Sequence, residues 1–306
     1  MIIWNKIYQL LEKNHSLYLL TVIESQGSAP GRRGFKMLVS DDGYLCGSIG
    51  GGIMEFNLVN KAKELLNDNS SHTFFIKQVH RGEATASSGM ICSGSQTIAF
   101  TPLASQNLKT IKACMNSDQV LSISQDGVRL IDEGNEVCVI NNENDWFYRE
   151  KLSKKLTAHI FGAGHVSVPT SELLSKLGFE VMLYDNRKDI NTFNDNTNTS
   201  NKQVVNYQQV LTSVDIKADD YILLMTHKFT EDKLLLSQLL SIKSYYLGVL
   251  GSSNKIKVMF SALLVDGFKQ KDIDRVYAPI GLGINSRTTD EIAVSIVAEI
   301  IKVKNS

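Results

Sequence analysis

The chain has 306 residues, more than one hydrophobic core usually organises, so two domains are expected. Hydrophobic residues at 43% and charged residues at 21% are ordinary for a globular protein, and 32 Lys+Arg against 32 Asp+Glu leave a formal net charge of +0. That balance lacks the basic surplus on which a nucleic-acid partner or an anionic membrane surface would draw.

At the N-terminus, Ile3, Ile7, Leu10 and Leu11 recur at helical spacing, which predicts an amphipathic helix over 2–14. Lys6 and Glu12 interrupt the apolar pattern and no small-residue cleavage site follows, so no signal peptide is expected. No apolar run approaches the roughly 18 residues needed to cross a bilayer. The four cysteines, Cys46, Cys92, Cys114 and Cys138, are far apart and form no CxxC pair, which disfavours a disulfide scaffold and a zinc site. A cytoplasmic protein is expected.

Leu17 to Ile23 reads as a strand and is followed by a loop, 27–34, that holds three glycines and the adjacent Arg32 and Arg33. Phe35 to Val39 and Tyr44 to Ile49 read as a hairpin around Asp42-Gly43. Gly50, Gly51 and Gly52 then precede a helix over 53–66. Three glycines between strand and helix are costly in backbone entropy. They fit an anion held on the helix N-terminus, and equally a close packing of strand on helix. After a strand over 73–79, a small-residue loop carries Cys92 and leads into a strand over 96–100. Cys92 reads either as an inert core thiol or as a sulfur presented to a ligand or metal. From 120 to 148, short apolar segments separated by Asp126-Gly127 and Glu133-Gly134-Asn135 predict hairpins that complete the first domain's sheet.

The pattern changes near 154, which divides the chain into an N-terminal α+β domain, 1–154, with mixed or antiparallel strands, and a C-terminal domain, 155–306. In the second, the stretch 157–187 runs strand, Gly162-Ala163-Gly164, helix, strand, Asp185: a mononucleotide-binding βαβ unit. Gly162 permits the tight turn and Gly164 lets the backbone approach a pyrophosphate, while the helix opening near His165 offers free N–H groups. Ser167 stands at the third motif glycine. Asp185 sits where a carboxylate accepts a ribose 2′-hydroxyl, which predicts NAD over NADP, with Arg187 nearby weakening that preference. An Asn-rich polar loop, 191–201, is expected to be mobile.

Strands and helices then alternate, which predicts a Rossmann-like, doubly wound parallel sheet. Ligands of such sheets bind at the carboxyl ends of the strands, where Gly162, Asp185, His227, Gly251 and Arg287 are expected to gather. His227 is a candidate for proton transfer and equally for a hydrogen-bonded structural residue. Thr288 with Glu291 three residues on predicts a capping box for the last helix.

These stretches together resemble the XdhC/CoxI family, the xanthine dehydrogenase accessory proteins. The matches are GSAPGRRGFKMLV (27–39), GSIGGG with Glu55 (47–55), GMICSG (89–94), FGAGHV (161–166), YDNR (184–187), MTH (225–227), LGVLGS (247–252) and APIGLGINSRTTDEIAVSIVAEI (278–300). The resemblance implies an accessory protein that binds molybdenum cofactor (molybdopterin), assists its sulfuration, and passes it to a xanthine dehydrogenase-type molybdenum hydroxylase. A cysteine desulfurase or sulfurase as further partner and a homodimer are implied with it. The cofactor's phosphate and metal suit Arg32, Arg33, Gly50, Gly51, Gly52 and a soft thiolate, for which Cys92 would be both the catalytic sulfur and the metal ligand. The chain departs from the family pattern at Ile53, where a cysteine is usual, at Ser93, and at Ser253, so any thiol role falls on Cys92 alone. The alternative reading of the C-terminal half is an NAD(P)-dependent oxidoreductase using His227.

Overall fold

The computed structural model describes residues 2–80, 94–115, 117–152 and 154–306. The chain divides into two compact units, Met1–Lys154 and Lys155–Ser306.

The first unit is built on α1 (Ile2–Glu12), β1 (Leu17–Gly27), β2 (Lys36–Ser40), β3 (Leu45–Gly47), α2 (Gly52–Asn67), β4 (Phe74–His80) and β5 (Gly94–Leu103). The five strands form an antiparallel sheet in the order β3-β2-β1-β5-β4. The first seven residues of β1, 17–23, are apolar except Thr21, because both faces of the sheet are covered there. Tyr18, Leu20 and Val22 face a core shared with Leu58, Val59 and Ala62 of α2. Leu17, Leu19 and Ile23 face a second core with Ile7 and Leu11 of α1.

After α3 (Leu108–Cys114), the hairpins β6 (Val120–Ser124), β7 (Gly127–Ile131), β8 (Val137–Asn142) and β9 (Asp145–Lys151) form their own antiparallel sheet, in the order β7-β6-β9-β8. They do not complete the first sheet as expected. Leu121, Ile123, Trp146 and Tyr148 instead pack face-on against the second core of the first sheet. Turn signals predict which strands pair, but only side-chain packing decides which sheet they join.

The second unit contains β10 (Thr157–Phe161), α4 (Ser167–Lys176), β11 (Glu180–Asp185), α5 (Asn191–Asn194), β12 (Asn201–Val204), α6 (Val210–Ser213), β13 (Tyr221–Leu224), α7 (Phe229–Leu239), β14 (Tyr246–Val249), α8 (Ser253–Val265), α9 (Gln270–Ile273) and α10 (Thr289–Lys304). All five strands are parallel, in the order β12-β11-β10-β13-β14. The order reverses between β10 and β13, where an open α/β sheet forms its ligand crevice. Separate cores fill the two faces, one under α7 and α8 and one under α4 and α10.

The segment 191–201 is more ordered than its Asn-rich composition predicts. Phe193 is buried among Leu183, Phe179 and their neighbours, and buried Asn196 donates from Nδ2 to Ser171 Oγ at 3.2 Å. One aromatic anchor and side-chain amides used as turn formers replace the apolar run that usually marks an element. Thr288 caps α10 with Glu291 in a full capping box, as expected.

Candidate functional site

In the first unit, the predicted glycine loops meet backbone to backbone. A Cβ on Gly31 would lie 2.2 Å from the Ile49 carbonyl oxygen, and one on Gly50 would lie 2.7 Å from the Gly31 nitrogen. Gly94, the last residue of the Cys92 loop and the first of β5, comes equally close to Ala29 and Gln26. Two loops and the start of β5, distant in sequence, are thus pressed together at positions where no side chain fits. Buried Gln96, absent from the sequence-based candidates, joins them by accepting from the Gly31 N–H at 3.0 Å and donating to Gln78 at 3.0 Å.

The triglycine turn resolves the two readings of its glycines position by position. Gly50 serves close packing, whereas a Cβ on Gly51 would meet nothing within 4 Å. N–H groups of the turn just before α2 hold an anion, and it is the chain's own. Glu55 Oε2 accepts from Ser48 Oγ at 2.7 Å, the Ile49 N–H at 2.8 Å and the Gly51 N–H at 3.0 Å. Burial alone would raise the Glu55 carboxyl, but these donors outweigh it and hold the group below its ordinary value. The signal for Glu55 is an acid in the first turn of a helix.

Arg32 and Arg33 are exposed, and the Arg33 guanidinium stacks 5.3 Å from the Tyr148 ring centroid. Cys92 lies outside the described residues. Among the described cysteines, burial pushes the Cys114 thiol up to about 12 and the Cys138 thiol up to about 11, so neither offers a thiolate at neutral pH.

In the second unit, Gly162 follows β10 with φ +107°, and its Cβ would lie 2.5 Å from the Met225 carbonyl oxygen. Only glycine permits β10 and β13 to approach there, at the point where the strand order reverses. The Gly162 N–H donates to Tyr184 O at 2.8 Å, tying the turn to the end of β11. Gly164 differs: a Cβ there would meet nothing within 4 Å, so protein packing does not require it. Ser167 is buried and its Oγ donates to Gly164 O at 2.7 Å, which fills the role of the third motif glycine. His165 is exposed beside the turn.

Asp185 is 1% exposed and fully engaged. Its Oδ2 accepts from the Ala163 N–H at 2.8 Å and Arg187 Nη2 at 2.9 Å, while Oδ1 accepts from the Arg187 N–H at 3.0 Å and Nε at 2.8 Å. Burial pushes this carboxyl up, and Arg187 with the Ala163 N–H more than reverses the shift.

His227 follows β13 and is exposed, with Nδ1 3.5 Å from Glu231 Oε2. Glu231 also accepts from Asn186 Nδ2 at 3.0 Å, so it joins the ends of β11 and β13. Buried Asp232 accepts from the Thr226 N–H at 3.1 Å and Thr226 Oγ1 at 2.7 Å and pairs with Lys255 of α8, which also donates to Leu250 O. The side chain of Lys255 fills the space beside Gly251. The ends of β10, β11, β13 and β14 are thus joined around the turn. Arg287 is exposed at the start of α10, where its N–H donates to Glu291 at 2.6 Å; no contact among the described residues brings its side chain to this group. Glu231, Asp232 and Lys255 were not legible as site residues, because a helix-borne acid or lysine looks like any solvated one.

Residues 159–300 match the family model for the XdhC Rossmann domain, and residues 10–77 match that of the XdhC and CoxI family. The chain is 24% identical over 99% of its length to "Uncharacterized protein YqeB" of Escherichia coli K12, and spans only 46% of that protein. It is 23% identical to a probable xanthine dehydrogenase subunit of Bacillus subtilis 168, over 96% of this chain and 95% of that protein. It is 21% identical to "Molybdenum cofactor insertion chaperone PaoD" of Escherichia coli K12, over 94% of this chain and 83% of that one. A crystal structure described as a xanthine dehydrogenase from Bacillus halodurans shares the fold, with a TM-score of 0.79 at 24% identity over 98% of this chain and 96% of that chain.

Proposed function

We propose, from the premise that the chain belongs to the XdhC/CoxI family, that it is an accessory protein of molybdenum-enzyme maturation: it binds molybdenum cofactor and assists its sulfuration and insertion into a xanthine dehydrogenase-type hydroxylase. Two relatives carry names of this kind, one a molybdenum cofactor insertion chaperone and the other a probable component of xanthine dehydrogenase. The observation that carries the reading is the close meeting of Gly31, Gly50 and Gly94, which sets exposed Arg32 and the open Gly51 beside the start of β5. The fit is specific about charge. Glu55 already takes the Ile49 and Gly51 N–H groups, so a cofactor phosphate would rely on Arg32 and Arg33 rather than on the triglycine turn. When bound, the cofactor supplies the molybdenum centre and its sulfur chemistry. The chain's own residues bind and orient it, and the sequence leaves Cys92 as the sulfur ligand.

Anaerobic titration of the purified full chain with cofactor released from a molybdenum hydroxylase tests this, read by absorbance and native mass spectrometry. Saturable binding is expected, weakened about tenfold by Arg32→Ala, the worth of one charge-assisted contact. Absence of saturable binding, or Arg32→Ala and Cys92→Ala both behaving like wild type, would remove the reading.

A second reading concerns the other unit, and Gly164 favours it. An open position over a glycine turn, at the point where the strand order reverses, suits the pyrophosphate of a dinucleotide, NAD(P), held by the Gly162–His165 backbone.

A further inference from the structure

Asp185 ends β11 with both carboxylate oxygens engaged by the chain itself. An acid at this position ordinarily selects an unphosphorylated ribose by accepting hydrogen bonds from its 2′-hydroxyl. Asp185 is closed to that use. Four protein donors fill its two oxygens and its side chain is 1% exposed. A ribose would have to displace either Arg187 or the Ala163 N–H, and the latter bond holds the glycine turn itself.

Arg187 is the opposite case. Its Nε and Nη2 grip Asp185 side-on, while its side chain stays 38% exposed and both N–H bonds of Nη1 lack a partner among the described residues. The guanidinium is therefore fixed in direction with one donor edge free, the pre-organised fork that suits a phosphate dianion. Lys188, exposed, follows it. The opposing charge nearby is Glu231, 13% exposed, whose Oε1 accepts from Asn186 and Lys228, while its buried Oε2 lies 3.5 Å from His227 Nδ1 and accepts no hydrogen bond among the described residues.

We infer that this unit selects a nucleotide phosphorylated on its ribose, of the NADP class, and that Arg187 is the residue that reads the added phosphate, with Asp185 positioning it. The inference rests on the nucleotide reading of the Gly162 turn and reverses the preference expected from Asp185 in the sequence.

Calorimetric titration of the full chain with NADP+, NAD+, adenosine 2′,5′-bisphosphate and 5′-AMP tests it, with inorganic phosphate as competitor. The 2′-phosphorylated member of each pair is expected to bind at least about tenfold tighter, the worth of a charge-assisted pair of hydrogen bonds. Arg187→Met should abolish that ratio, and Arg187→Lys, which keeps the charge without the fork, should retain part of it. Inorganic phosphate at the same concentration should displace neither member, which separates a nucleotide site from a free-phosphate site. The wild-type comparison needs no variant, so it stands even if removing Arg187 from Asp185 unfolds the unit. Equal or tighter binding of NAD+ by the wild type overturns the inference, and an unchanged ratio in Arg187→Met overturns the assignment to Arg187. No binding of any nucleotide overturns the nucleotide reading and this inference together.

Discussion

Gly162 and Gly164 stand two positions apart in one motif and do different work. Gly162 has φ +107° and its absent Cβ would strike the Met225 backbone at 2.5 Å, so its glycine is a demand of the fold. Gly164 has open space at its Cβ, so packing places no demand on its glycine. Gly162→Ala is expected to cost about 3 kcal/mol or more, from backbone strain and a clash that β13 cannot relieve. Gly164→Ala should leave the denaturation midpoint nearly unchanged, within about 0.5 kcal/mol, yet weaken nucleotide binding. Urea unfolding and calorimetry on both variants check this. A Gly164→Ala protein that unfolds early but binds normally would mean that the protein, and not a ligand, requires the glycine.

The start of α2 shows how an element can supply the group that its own end attracts. Glu55 reaches back to Ser48, Ile49 and Gly51, and its carboxyl is depressed as a result. A group depressed in the folded state contributes stability that is present above its unfolded value near 4.5 and is lost as pH falls through the folded one. Glu55→Ala should therefore cost about 1–2 kcal/mol at pH 7, of the order of a lost helix cap, and the gap to wild type should close on acidification. Chemical denaturation at pH 7 and in acid measures both; a gap independent of pH would count against the carboxylate's role. The turn also marks where reading the sequence stops. Three glycines before a helix announce an anion site, but not that the anion is four residues into the helix. The parallel sheet was legible because its inner strands are short, mostly apolar and separated by helical periods, and the Thr288–Glu291 box because both halves are local. The independent sheet of β6 to β9 and the anchored 191–201 segment were not, because each depends on burial of Trp146, Tyr148 or Phe193 against residues far along the chain.

Two compact units with separate cores unfold as one only if their interactions couple them, and long chains of this kind commonly depart from two-state behaviour. The chain carries its own reporter for the distinction. It has two tryptophans, Trp4 and Trp146, both buried in the first unit, so tryptophan fluorescence follows that unit while far-ultraviolet dichroism follows both. A nucleotide bound at the Gly162 turn stabilises only the fold that holds it, by about 2.7 kcal/mol at one hundred times its dissociation constant. For a unit of this size that corresponds to a shift of roughly 5–10 °C. Saturating NADP+ should accordingly move part of the dichroism transition upward and leave the fluorescence transition where it was, whereas molybdenum cofactor held by the first unit should move the fluorescence transition together with the other part of the dichroism transition. Were NADP+ to move the fluorescence transition as well, the units would be thermodynamically coupled, and loading of one would be felt by the other.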